Sequence, residues 1–182
     1  MSIQELIKDQ VKCGNLIYYK PTLAIDPIWR HLFVSAVIYE AITLPATANE
    51  ADDVNDLDAR LIQMRADFDR YVKGEVITVA HDPYKKSKKA YLARIDPIEK
   101  EIWDIRSIDP KPAVRVLGAF SEKDTFIALE YEFRNNLKGP KSREWRDFIL
   151  RSDTHWKKLF FGLLPHGGKS TNDYISENTF DV

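Results

Sequence analysis

The stretch of this chain with the least freedom lies between residues 101 and 133. Residues 102–108, 113–120 and 125–133 are rich in β-branched and aromatic side chains, which suit a pleated, half-buried surface. The breaks between them, Asp109-Pro110-Lys111-Pro112 and Ser121-Glu122-Lys123-Asp124, are short and made of turn-forming residues. This spacing predicts an antiparallel meander. Beyond it, starting at Ser142, the residues Trp145, Phe148, Ile149, Trp156, Leu159 and Phe160 recur on one helical face, with Arg143, Arg146 and Arg151 largely elsewhere. A helix over residues 142–160 that covers one side of the sheet follows.

Upstream the pattern turns mainly helical. Ile3, Leu6, Ile7 and Val11 share a helical face, Gly14-Asn15 ends it, and residues 16–19 read as a short strand. Asp26-Pro27 has the form of a helix start, and Ile28, Trp29, Leu32, Phe33, Ala36 and Val37 follow at helical period up to Pro45. Residues 46–56 carry Glu50, Asp52, Asp53 and Asp56 with little that is apolar, which predicts an acidic linker or exposed loop. Leu57, Leu61, Met64, Phe68 and Tyr71 then mark an amphipathic helix. Lys85, Lys86, Lys88 and Lys89 lie between Tyr84 and Tyr91, either as a phosphate-binding loop or as a solvated connection. The expected fold class is α+β: an antiparallel β-meander covered by helices, with a mainly helical N-terminal half. The expected division is a helical region over 1–97, including the acidic linker and the lysine-rich loop, and an α+β core over 98–182.

The totals exclude several function classes. A chain of 182 residues with 44% hydrophobic content suits one domain, or a compact domain with a helical extension. The single cysteine, Cys13, can form no internal disulfide, and no Cys/His cluster has zinc-ligand spacing. The N-terminus lacks the apolar core of a signal peptide, and the longest apolar run, around residues 32–42, is too short to span a bilayer. A cytoplasmic location, with no membrane partner, metal or cofactor, is the expectation. Formal charge is −1, so affinity for nucleic acid requires the basic residues to gather on one face. Near the C-terminus, Pro165-His166-Gly167-Gly168-Lys169-Ser170-Thr171 has the look of a nucleotide-binding loop. Leu163 stands where that loop requires glycine, and little chain remains for the helix that must follow. A Gly-Gly turn before an extended stretch over residues 173–176 is the expected structure.

The run EIWDIRSIDPKPAVRVLGAFSEKDTFIALEYEFRNNLKGPKSREWRDFI resembles the core of the RelE/HigB-like toxin superfamily. Trp103-Asp104-Ile105-Arg106 matches its first strand, Arg115-Val116-Leu117 the second and Ile127-Ala128-Leu129 the third. The likeness covers about the last half of the chain. It implies a small α+β fold and, as in the ribonuclease members, metal-independent cleavage of mRNA on the ribosome. RNA or the ribosome and an antitoxin or other protein are the implied partners. That chemistry needs a base for the 2′-hydroxyl proton and cations for the charge on the phosphorane. Arg106, Arg115 and Arg134 are the candidate phosphate-binding residues, because a guanidinium binds phosphate oxygens bidentately. Glu130, Tyr131 and His155 are the candidate proton-transfer groups, and the sequence does not choose between them. Lys138, with the lysines at 85–89, is the candidate RNA-binding set.

Alternation along strands offers a structural reading of the same residues. Asp104 and Arg106 share one strand face and Glu130, Glu132 and Arg134 another, so cross-strand charge pairs alone could account for them. In that case the protein is a non-enzymatic accessory or defence-related factor that binds a protein partner, or a toxin-like inhibitor of a topoisomerase. Trp29, Trp103, Trp145 and Trp156 are expected as core or interface anchors.

Overall fold

A computed structural model describes the backbone of residues 1–43, 53–85 and 89–182, and the side chains of these except residues 53–58. Its centre is an eight-stranded mixed sheet in the order β1-β2-β7-β6-β5-β4-β3-β8. The strands are β1 (Leu16–Tyr18), β2 (His31–Ser35), β3 (Ile77–Ala80), β4 (Leu92–Arg94), β5 (Trp103–Ser107), β6 (Val114–Glu122), β7 (Thr125–Phe133) and β8 (Thr179–Asp181). The helices are α1 (Ile3–Lys12), α2 (Ala36–Thr43), α3 (Asp53–Val72), α4 (Arg143–Leu159) and the single turn α5 (Thr171–Tyr174). Among the described residues, no helix is long and apolar enough to cross a membrane.

The expected meander is present as β5, β6 and β7, all antiparallel, with α4 against β6 and β7. It is the middle of a larger sheet. Strand β2 pairs in parallel with β7, and β3 pairs in parallel with both β4 and β8. The N-terminal half is therefore less helical than its periodicity suggests: it supplies four strands, and strands from both sides of residue 97 share one sheet.

The segment read as a helix from Ile28 is β2, and the helix begins only at Ala36. The physical reason is burial on both faces. An inner strand with both faces covered reads as a continuous apolar run, which periodicity alone does not separate from a helix. Leu32 and Val34 are buried against α3, and Phe33 packs on the α4 side. Ser35 marks the change: its hydroxyl donates to the Leu129 carbonyl at 2.7 Å and accepts from the Ile38 N–H at 3.4 Å.

Other local readings hold. Ser2 and Glu5 form a reciprocal capping box at α1, and the Ser142 hydroxyl caps α4 by accepting from the Trp145 N–H at 3.0 Å. Met64, Phe68 and Tyr71 are the buried stripe of α3. Asp53–Asp56 of the expected acidic linker begin that helix, and the rest of the linker lies outside the described residues. Phe148 and Trp156 of α4 are fully buried, each contributing about 1.5–3 kcal/mol. Of the tryptophans expected as core or interface anchors, Trp103 and Trp156 lie in the core, Trp145 is partly buried against it, and Trp29 is 65% exposed.

The C-terminal segment corrects the expectation of an extended stretch at residues 173–176. Ser170 and Asp173 form a capping box that winds Thr171–Tyr174 into a helical turn, and the extended strand comes later, as β8. Gly167 and Gly168 are explained by close approach. A Cβ on Gly168 would stand 2.4 Å from Asp173 Cβ, and one on Gly167 would stand 3.1 Å from Glu101 Oε1.

One irregularity positions the site. Leu117 pairs with Glu130 but Gly118 with Ala128, so β7 carries one extra residue, Leu129, opposite β6. Before the bulge, Phe126 and Ala128 face α3; after it, Tyr131 and Phe133 do, while Leu129 lies on the α4 side. The phase shift turns Glu130 and Glu132 toward α4. Gly118 is obligatory here, since its Cβ would fall 2.1 Å from the Ile127 carbonyl oxygen and 2.7 Å from the Phe126 ring.

Candidate functional site

The charged residues of the meander collect on the α4 face. Arg106 on β5 lies directly opposite Arg115 on β6. Like charges in that position repel. The sheet resolves the conflict with Asp104, which is 1% exposed and whose Oδ2 accepts from Arg106 Nε at 3.0 Å and from Arg115 Nη1 at 2.6 Å. The two arginine side chains are 17–18% exposed and lie over a buried carboxylate. The second Asp104 oxygen, Oδ1, and Arg115 Nε are buried with no hydrogen-bond partner among the described residues.

Arg115 in turn lies opposite Glu132 on β7. Two rungs connect β7 to α4 from there. Glu132 faces Arg151 at 3.5 Å, and Glu130 Oε1 stands 2.8 Å from His155 Nδ1. Residues 151 and 155 are one helical turn apart, matching two residues along the strand, so both rungs fit without distortion. The carboxylate is an acceptor, so Nδ1 carries the hydrogen and Nε2 is the lone-pair nitrogen of the neutral ring. The His155 and Glu130 side chains are 23% and 22% exposed, which leaves the pair open to a ligand at one edge.

The structure thus places Arg106, Arg115, Glu130 and His155 on one face of the sheet and the other candidates elsewhere. Tyr131 points to the opposite face, where its ring meets Phe133 and burial, aided by Glu132, pushes its hydroxyl pKa up. Arg134 follows β7 instead of lying in it; its N–H donates to the Ala113 carbonyl, and among the described residues its half-buried side chain has no polar partner. Lys138 is exposed and paired with Glu144 at 2.6 Å. Lys85 and Lys89 are exposed in the connection between β3 and β4, while Lys86 and Lys88 lie outside the described residues.

Three arginines (106, 115, 151) and three carboxylates (104, 130, 132) therefore alternate across this face, so the formal charge is balanced while His155 is neutral. Asp104 as the shared anchor and Arg151 as a member of the face are not evident from sequence. The signal for the bulge that aligns Glu130 with His155 is present in it: Gly118 interrupts an otherwise β-rich run. Among the described residues, no cluster of three or more His, Cys, Asp or Glu is placed to hold a metal ion. Compared with known protein families, with curated proteins and with solved structures, the chain has no match in any of the three.

Proposed function

We propose that this chain is an RNA-directed protein of the RelE/HigB-like toxin type, with His155 and Glu130 as its proton-transfer pair and Arg115 and Arg106 as its phosphate clamp. The observation that carries the reading is the 2.8 Å Glu130–His155 pair, partly open to solvent, on the same face as two partly exposed arginines. In this role Nε2 of His155 takes the proton of a ribose 2′-hydroxyl while O2′ bonds to the adjacent phosphorus. The P–O5′ bond then breaks and O5′ takes a proton from water, whose hydroxide accepts the proton held on His155, leaving a cyclic phosphate, a 5′-hydroxyl and the neutral imidazole. Glu130 holds the ring and stabilises the imidazolium formed on the way. Arg115 gives one of its N–H donors to Asp104, which fixes the guanidinium in place while other donors remain for phosphate oxygens.

A specific observation favours a second reading. The matched count of arginines and carboxylates is that of a self-neutralising salt-bridge face, and on this reading the protein is a non-enzymatic factor that binds a protein partner. Leu23, Ile25 and Trp29, exposed by 59%, 91% and 65%, are among the apolar residues available for such contact.

RNA cleavage with divalent metal chelated, with and without ribosomes, separates the two when thermal melts are run in parallel. On the first reading His155→Ala slows cleavage by about 10²–10⁴-fold with little change in melting. Arg115→Ala costs about 10- to 100-fold, partly recovered by Arg115→Lys, which restores the charge but not the planar fork. Wild-type protein that neither binds nor cuts RNA, with stability losses in the arginine variants, leaves the second reading.

A further inference from the structure

The other face of the sheet holds a polar cluster that the proposed reaction does not use. Extending the β3–β4 register of Ala80 and Ala93 by one residue sets His81 beside Arg94, and Arg94 is the cross-strand partner of Trp103. These three side chains form a row across β3, β4 and β5. Tyr174 lies over the row: its ring centroid is 5.9 Å from His81, 4.7 Å from Trp103 and 5.9 Å from the Arg94 guanidinium carbon. The roof is fixed. Gly168 N–H donates to the Tyr174 hydroxyl at 2.7 Å, His166 N–H donates to the Phe120 carbonyl, and Asp124 N–H to the Tyr174 carbonyl.

Satisfied and unsatisfied groups divide sharply here. Glu101 is fully used, with Oε2 accepting from the Tyr174 hydroxyl at 2.7 Å and Oε1 from Arg94 Nη2. Of the six buried side-chain polar atoms without a partner among the described residues, three belong to this row: His81 Nε2, Arg94 Nε and Trp103 Nε1. Arg94 Nε and Trp103 Nε1 are obligate donors, and His81 Nε2 is a donor in one neutral tautomer and in the imidazolium. A buried donor left unpaired is costly, so three in one row are a site matched to something that brings acceptors. His81 and Arg94 are each partly buried and Trp103 fully buried, so the row lies nearest to solvent at its His81–Arg94 end.

We propose that this row, beneath Tyr174, binds an oxyanion group, a phosphate or a carboxylate carried by a small ligand. The group would accept from Trp103 Nε1–H, Arg94 Nε–H and His81 Nε2–H. Glu101 already neutralises Arg94, so the recognition rests on oriented donors at the floor more than on net charge. The inference is independent of the α4 face, which lies on the opposite side of the sheet.

The test is an NMR titration of the full chain with inorganic phosphate and, separately, with acetate at constant ionic strength. Binding predicts a saturable shift of the Trp103 indole N–H and the His81 ring resonances, while the indole signals of Trp29, Trp145 and Trp156 stay in place. Whether phosphate or acetate produces it identifies the ligand group. His81→Phe should abolish the Trp103 shift, and Arg94→Lys, which removes the Nε–H donor, should weaken binding by about tenfold or more. The wild-type titration decides even if a variant fails to fold. Absence of a saturable Trp103 shift with either anion, or an unchanged affinity in a folded Arg94→Lys protein, overturns the proposal.

Discussion

Buried arginine is handled in two ways on the two sides of this molecule. Arg30, just before β2, is 2% exposed and has no carboxylate partner among the described residues; its guanidinium donates to the carbonyls of Glu75 at 3.1 Å and Glu177 at 2.7 Å, with longer contacts to Tyr71 and Asn178. On the α4 face, Arg106 and Arg115 share one buried carboxylate and keep part of their surface open. The difference is one of accessibility. A guanidinium enclosed by fixed carbonyls ties the end of α3 to the C-terminal segment through both of its terminal nitrogens. A pair held from below by Asp104 is oriented and still reachable. Exposure, more than the presence of arginine, distinguishes a latch from a candidate clamp.

The sharpest way to break this comparison is Arg30→Met. It keeps much of the volume but leaves buried carbonyls without donors, and we expect a loss of about 3–5 kcal/mol in chemical denaturation. An effect below that of a surface substitution would show that Arg30 is no latch. On the other side, Gly118→Ala tests whether the β7 bulge sets up the α4 face. Its Cβ would collide with the Ile127 carbonyl oxygen, so a loss of about 2–3 kcal/mol is expected, with displaced His155 ring resonances as the Glu130 pairing is disturbed. Unchanged His155 signals would detach the bulge from the pair.

The smallest expected effect is a pH dependence. Burial raises the Asp153 pKa, but hydrogen bonds from Lys100 and Lys157 outweigh it and hold the carboxyl below its usual value. A folded-state pKa below the unfolded one adds stability above the unfolded value of about 3.9, and that stability is lost as pH falls through the folded value. Lys100→Met should therefore lower stability by about 1 kcal/mol at neutral pH. The gap between variant and wild-type melting temperatures should close on acidification through the carboxylate range. A gap that is constant with pH would remove Asp153 from the account.

Much of this was legible before any coordinates. The apolar face of α1, the helix start at Ser142, the stripe of α3, the β5–β6–β7 meander and the helix over it rest on neighbours close in sequence, and local patterns record those. The shared strand faces of Asp104 with Arg106 and of Glu130 with Glu132 were equally readable, because alternation is a local property. What the chain alone left open depended on distant partners. Residues 28–35 fit a helical period, and only pairing with β1 and β7, with both faces covered, makes 31–35 a strand. Alternation without a break would have carried Glu130 and Glu132 to the same side as Phe126 and Ala128; the extra residue at Leu129, made possible by Gly118, sends them to α4 and to His155. In the same way, Gly167-Gly168 is a turn signal in sequence, but its tight seat against Glu101 and Asp173 exists only once the C-terminal segment folds back over the sheet. Short-range propensity and periodicity determined which elements form. Strand order, the phase of one bulge and the satisfaction of buried charge decided which side chains meet, because each depends on residues far apart in the chain.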